Sequence, residues 1–216
     1  MTINAPLTAS CPEWDEDVPA DRLAEFKALL AGVQQQVVSS ANRAVLAPTD
    51  VCGWHRHLFN ATVPLDYYAG NFRCSKSEWP CLAVNVAVGG VAGSDYRFAE
   101  RHVELIFKHL REQLTRVELG WSSLSPGERA YQVAVLTANL VGGFIRIHPF
   151  INGNGRTSRL LWRWCLFRFG VPPQHQVHPR PNPPYAEIMA QAMRGNYGPL
   201  ALFVLTHLQS NRPAQS

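Results

Sequence analysis

Two long apolar stretches dominate the pattern of the chain, and a polar link joins them. Between Ala130 and Ile145 no residue is charged, and from Leu160 to Phe169 only Arg163 and Arg168 are. Runs of that length and character predict buried helices rather than strands. The link is His148-Pro149-Phe150-Ile151-Asn152-Gly153-Asn154-Gly155-Arg156-Thr157-Ser158-Arg159. Polar groups placed between two buried helices must be satisfied by one another, by backbone or by a ligand. The chemistry is expected there.

The remaining pattern is also mostly helical. Leu23, Phe26, Leu30, Val33 and Val37 recur at helical spacing after an opening near Asp17, Pro19 or Asp21. Asp50 is expected to cap a second helix that runs to about Phe59. Leu82, Val84, Val86 and Val88 alternate with Ala83, Asn85 and Ala87 before Gly89-Gly90, which predicts a β-hairpin. Such a hairpin needs a helical bed to lie on. From Tyr96, a stripe of Val103, Ile106, Leu110, Leu114 and Val117 predicts a long amphipathic helix that Gly120 ends. Ser125-Pro126-Gly127-Glu128 then carries the marks of a helix start. Gly142-Gly143 inside the charge-free helix implies close approach by a neighbour. Shorter helices are predicted over Tyr185–Met193 and Leu200–Leu208. Residues 1–17 read as an irregular, solvated N-terminal arm, and residues 18–216 as a single domain.

Within the link, Pro149 disfavours helical geometry in the residue before it, so the first long helix should end near Ile147 or His148. Gly153 and Gly155 permit a tight turn and close backbone approach to a ligand. A second helix beginning at Asn154 or Gly155 would offer unpaired N–H groups and the positive end of its dipole to an anion. Arg156, Arg159 and Arg163 follow at i, i+3 and i+7, which predicts a basic edge on that helix. His148, just ahead of this cradle, is placed to take a proton from a hydroxyl. The parts describe a phosphate grip with a base beside it.

This stretch resembles the signature of the Fic-domain family, His-Pro-Phe-x-(Asp/Glu)-Gly-Asn-Gly-Arg-x-x-Arg, and matches it at every fixed position except 152. The resemblance implies a mainly α-helical bundle with one β-hairpin flap, and a nucleotidyltransferase activity. By that resemblance His148 is the catalytic base. Gly153, Asn154 and Gly155 form the anion hole, and Arg156 and Arg159 hold phosphates. The group transferred would be AMP from ATP, and the acceptor a Ser, Thr or Tyr hydroxyl of a target protein docked on the 82–91 hairpin by strand addition. The rival readings are a nucleotide-binding module with little or no transfer, and a related enzyme that moves another phosphate-containing group.

Asn152 stands where the family pattern has a carboxylate that helps to hold Mg²⁺. An amide oxygen can ligate a hard cation but brings no charge, so the metal would arrive with the nucleotide and lean on its phosphates. On that reading Asn152→Asp would raise transfer at low Mg²⁺. The family's inhibitory motif, a Ser or Thr followed four residues later by Glu, is absent from the chain. Inhibition would then come from a separate small protein, as in toxin–antitoxin pairs, or not at all. The segments around His55-Arg56, Gly70-Asn71-Phe72-Arg73 and Tyr185, Asn196 and Tyr197 also resemble family elements. His55 and Arg56 read as structural, with packing against the motif loop as the alternative. Tyr185, Asn196 and Tyr197 are candidates for base contacts or for core packing.

Composition sets outer limits. A chain of 216 residues suits one domain with a proper core, and 46% apolar against 17% charged residues fits a globular protein. A net charge of +4 permits nucleic-acid contact without requiring it. No membrane span and no secretory leader are expected. Five cysteines without metal-type spacing suggest reduced thiols in a cytoplasmic protein, with a Cys74–Cys81 bridge as a minor alternative. His55 and His57, at i and i+2, point apart on a helix, and His175 with His178 reads as surface loop rather than a metal site.

Overall fold

A computed structural model describes residues 11–15, 20–42, 45–170 and 184–210. Among them are seven α-helices and one two-stranded sheet. Helix α1 covers Leu23–Ala41, α2 Pro48–Phe59, α3 Tyr96–Gly120, α4 Pro126–Ile147, α5 Asn154–Arg168, α6 Tyr185–Met193 and α7 Gly198–Ser210. The mainly α class with a single hairpin is therefore as the pattern predicts. His175 and His178 lie outside the described residues.

Helix α4 is the central post, packed against α3, α5, α6 and α7. Its start is the reciprocal cap foreseen in the sequence: Ser125 Oγ accepts from the Glu128 N–H while the Glu128 carboxylate accepts from the Ser125 N–H. It is long and apolar enough to cross a membrane, but 67% of its apolar window is buried inside the fold. Its charge-free run, Ala130 to Ile145, reflects burial on several sides. Gly142 and Gly143 give way to neighbours as expected. A Cβ on Gly142 would stand 2.5 Å from the Tyr197 ring, and one on Gly143 would stand 3.2 Å from Ile106. Trp162 and Trp164 of α5 are fully buried, and removing such large apolar surfaces from water is a main favourable term in the fold.

Three expectations change. Asp50 is not the cap of α2 but its third residue; Pro48 opens the helix, and the Asp50 carboxylate reaches back to the Ala47 N–H at 2.9 Å. The strand predicted from Leu82 shrinks to Ala87–Val88, paired antiparallel with Val91–Ala92. Leu82 instead closes a 3₁₀ turn, Pro80–Leu82, and is buried with Tyr68, Cys74 and Cys81. Alternation marks one apolar face, but Pro80 and a separate small core claim the first part of the run.

The third change concerns the arm and the cysteines. Residues 11–15 are irregular, yet Trp14 is half-buried and packs edge-on against Phe59, with ring centroids 5.2 Å apart. Cys11 is disulfide-bonded to Cys81, with Cα atoms 5.4 Å apart. Cys74 stays unpaired and buried, as does Cys165, while Cys52 is partly buried. The expectation of five reduced thiols is corrected at this bridge. Only the fold brings residue 11 beside residue 81.

Candidate functional site

The motif loop starts where α4 stops. His148 takes a left-handed backbone, φ 53°, and is the only non-glycine residue with positive φ among the described residues. That geometry disfavours an L-residue with a Cβ, so the surroundings must hold it. Arg73 does so. Its guanidinium is completely buried and donates to four main-chain carbonyls: His148 at 2.9 Å, Ile147 at 3.0 Å, Val84 at 2.9 Å and Ser94 at 2.7 Å. Its own N–H donates to the Pro149 carbonyl at 2.7 Å. Burial pulls Arg73 down to about 10, still charged at neutral pH.

Val84 and Ser94 flank the hairpin, so Arg73 ties both of its arms to the turn that carries His148. The Ser94 N–H reinforces this by donating to the Ile147 carbonyl at 3.0 Å. A Cβ on Gly93 would lie 3.0 Å from the His148 Cβ, so the hairpin stem rests directly on the histidine. Sequence reading placed Arg73 only within a family-like turn. A lone arginine in a Gly-Asn-Phe-Arg run carries no mark that its charge will be buried on backbone.

The His148 imidazole is half-buried, and its Nδ1 lies 3.3 Å from the Ile145 carbonyl. A carbonyl only accepts, so this contact needs the proton on Nδ1 and leaves Nε2 as the basic nitrogen. Burial lowers the imidazole to about 4, opposed by the Ile145 carbonyl and aided by the positive charge of Arg73. The ring is therefore neutral at neutral pH and can accept a proton.

The rest of the loop is pinned from beneath. Phe150 is fully buried and stacks on the His55 ring, centroids 3.8 Å apart. His55 is itself fully buried. Its Nδ1 accepts from the Gly70 N–H at 2.9 Å, so its Nε2 donates to the Asn152 carbonyl at 3.1 Å. Burial drives this histidine down to about 3, so it stays neutral. Both readings of His55 thus merge: it is structural because it packs on the motif loop. Gly153 has φ 76°, and a Cβ there would meet Phe59 at 2.6 Å and His55 at 2.8 Å, so no other residue fits without rearrangement. The Asn154 side chain is spent on Phe150, accepting from its N–H and donating to its carbonyl, each at 3.0 Å. Only the backbone of Asn154 can serve an anion.

Helix α5 begins at Asn154, as predicted, with Gly153 as its N-cap. No side chain caps it, which leaves its first N–H groups facing the turn. The Arg159 guanidinium curls back over this end, with Nη1 3.7 Å from where a Gly155 Cβ would stand. Arg156 instead leans across the Phe26 and Phe59 rings, 5.2 and 5.8 Å from their centroids. Arg163 lies over Phe167 at 5.1 Å. The three arginines share a helix but not one direction. Tyr185 is buried beside Trp162, Tyr197 wedges against Gly142, and Asn196 donates to Gln191. Core and loop packing account for those contacts.

The donor set does not fit a metal held by protein side chains. Among the described residues, no three or more His, Cys, Asp or Glu side chains gather as a metal site would require. Both ends of the Asn152 amide are engaged: Nδ2 donates to the Trp14 carbonyl at 2.8 Å, and Oδ1 accepts from the Gly153 N–H at 2.9 Å. A cavity of about 650 Å³ lies elsewhere, between the start of α2 and α3, and none of its walls belongs to the motif.

Comparison with known proteins places the fold and the family. Over 60 residues the chain is 42% identical to the protein adenylyltransferase Fic of Drosophila yakuba and 40% to that of Drosophila grimshawi. Those alignments cover 28% of this chain and 12% of each relative, so the chain matches about an eighth of their length. A Fic domain-containing signaling protein from Bacteroides thetaiotaomicron shares the fold, with a TM-score of 0.56 at 18% identity over 89% of this chain and 73% of that one. The Fic/DOC family model matches residues 45–166, which hold α2 to α4, the hairpin, the whole motif loop and all but the last two residues of α5, and on that match the chain belongs to the Fic/DOC family.

Proposed function

We propose that the chain transfers a nucleotide-derived group, AMP from ATP, to a Ser, Thr or Tyr hydroxyl of a target protein. The observation that carries this reading is the pairing of a neutral His148, its basic Nε2 fixed by the Nδ1 contact, with the uncapped glycine-rich start of α5. In the proposed step the hydroxyl oxygen attacks the α-phosphorus, and its proton passes to Nε2. A new O–P bond forms, the bond between the α-phosphorus and the bridging oxygen breaks, and pyrophosphate leaves. The backbone N–H groups at Gly153–Gly155 face the phosphate charge, and Arg159, curled over the same turn, holds the phosphates. Arg156 can join by leaving its aromatic cradle. Any divalent cation comes with the nucleotide, on its phosphate oxygens.

The target would dock on the hairpin, whose short strands are largely exposed, with Val88 and Val84 facing solvent. Main-chain pairing there suits targets of varied sequence. A separate antitoxin-like protein is the proposed source of inhibition. The test is incubation of the full chain with a nucleotide panel and candidate targets, followed by intact-mass analysis. A mass gain of one AMP on a target, lost in His148→Ala, supports transfer. Nucleotide binding without any mass gain would favour a binding module, and gain of another phosphate group would change the donor.

A further inference from the structure

Residues 11–15 form a strap that is anchored beside the motif loop at several points and bonded to the loop at one. Cys11 is bonded to Cys81. The Pro12 carbonyl accepts from the Tyr68 hydroxyl at 3.1 Å. The Trp14 ring sits edge-on to Phe59 and His55, the same pair that underlies Gly153. The last point is the Trp14 carbonyl, which accepts from Asn152 Nδ2. Asn152 therefore donates to the strap and accepts from the loop, through the Gly153 N–H, with one side chain. An ionised carboxylate only accepts. In its place at 152 it would set an anionic oxygen against the Trp14 carbonyl.

We infer that Asn152 is a positioning residue, not a metal ligand: it latches the strap across the glycine turn that receives the nucleotide. The latch explains why an amide stands at this position. With His55 holding the Asn152 carbonyl from one side and the strap holding its side chain from the other, the turn is fixed before any phosphate arrives. Preformed loops avoid an ordering cost on binding. The sequence-based expectation for Asn152→Asp is thereby reversed.

The test compares the oxidised wild type with Asn152→Asp, Asn152→Ala, Cys11→Ser and the double variant Asn152→Asp/Cys11→Ser. Thermal unfolding is measured for each, with nucleotide KM and the Mg²⁺ midpoint of transfer. Asn152→Asp is expected to lower Tm by about 4–8 °C, the scale of one lost hydrogen bond plus an unpaired buried acceptor. Nucleotide KM rises several-fold, while the Mg²⁺ midpoint stays within about twofold. In the Cys11→Ser background the strap is released, so the further Tm loss from Asn152→Asp shrinks to less than half; groups acting through one contact are not additive. Asn152→Ala removes the latch without adding charge and carries the same test if the aspartate variant does not fold. An unchanged Tm with a Mg²⁺ midpoint about tenfold lower in Asn152→Asp would overturn the proposal, as would fully additive Tm losses. The metal and KM arms rest on the transfer reading; the Tm cycle does not, so a chain without transferase activity still decides the latch.

Discussion

The motif loop and the hairpin lie against each other and are built in opposite ways. The side chains of Asn152, Asn154, Thr157 and Ser158 all hydrogen-bond to main chain. Of the loop's large apolar residues, Phe150 is fully buried and Ile151 is partly buried. The hairpin has two-residue strands and exposed valines, and the Gly93 N–H to Val86 carbonyl bond extends its ladder by one rung. Reacting groups need a geometry set in advance, whereas a surface that receives a partner strand needs unpaired edges. Arg73 joins the two, because one buried guanidinium holds carbonyls from both.

Breaking that joint should have the largest effect. Arg73→Met takes the guanidinium donor from four carbonyls, of which, among the described residues, only that of Ile147 keeps another, the Ser94 N–H, and the expected cost is roughly 3–6 kcal/mol, allowing for partial hydration. At this chain length that lowers Tm by about 6–24 °C. Arg73→Lys keeps the charge but not the fork, and its loss should fall between wild type and Arg73→Met. A Lys variant as stable as wild type would show that charge alone holds the turn.

Next comes His148→Ala, which separates chemistry from scaffold. Transfer should fall about a hundred- to ten-thousand-fold, while nucleotide affinity by calorimetry and the Tm barely move. An equal fall in nucleotide affinity would place the imidazole on the phosphates instead of on the hydroxyl.

Acid should act on the loop through two histidines. His55 and His148 are both lowered by burial, to about 3 and about 4, from an ordinary value near 6.5. The unfolded chain therefore binds more protons than the folded chain from about pH 6.5 downward. Stability is full above that range and is lost as pH falls towards 4. Differential unfolding scans from pH 8 to 4 should show this decline, with a weaker slope in His55→Asn. The acid limb of transfer should sit well below pH 6. In Arg73→Lys the charge remains and the limb holds; in Arg73→Met, where a positive neighbour is lost, it moves up.

The smallest effect belongs to the hairpin. Val88→Thr on its exposed face should change Tm by less than about 1 °C while raising the KM for a protein target. A stability loss as large as that at Arg73 would mean the hairpin is part of the core.

Some of this architecture is written in local chemistry. The cap at Ser125 and Glu128, the stop at Pro149, the glycine turn and the charge-free run of α4 each depend on neighbours a few residues apart. Short-range sterics and helical periodicity therefore sufficed to place them. The motif residues were legible for the same reason, since base, turn and arginines lie within twelve positions. What the sequence could not show were the supports arriving from far along the chain. Arg73 reaches carbonyls 11 to 75 residues away, His55 an oxygen 97 away, and Asn152 an oxygen 138 away. Cys11 finds Cys81 across 70. Each of these bonds uses main-chain groups that every residue carries, or a thiol with several candidate mates, so no pattern of side chains announces the pairing. Packing of α2, the hairpin stem and the strap around the loop decided it, because buried donors and acceptors must be matched wherever the fold brings them together.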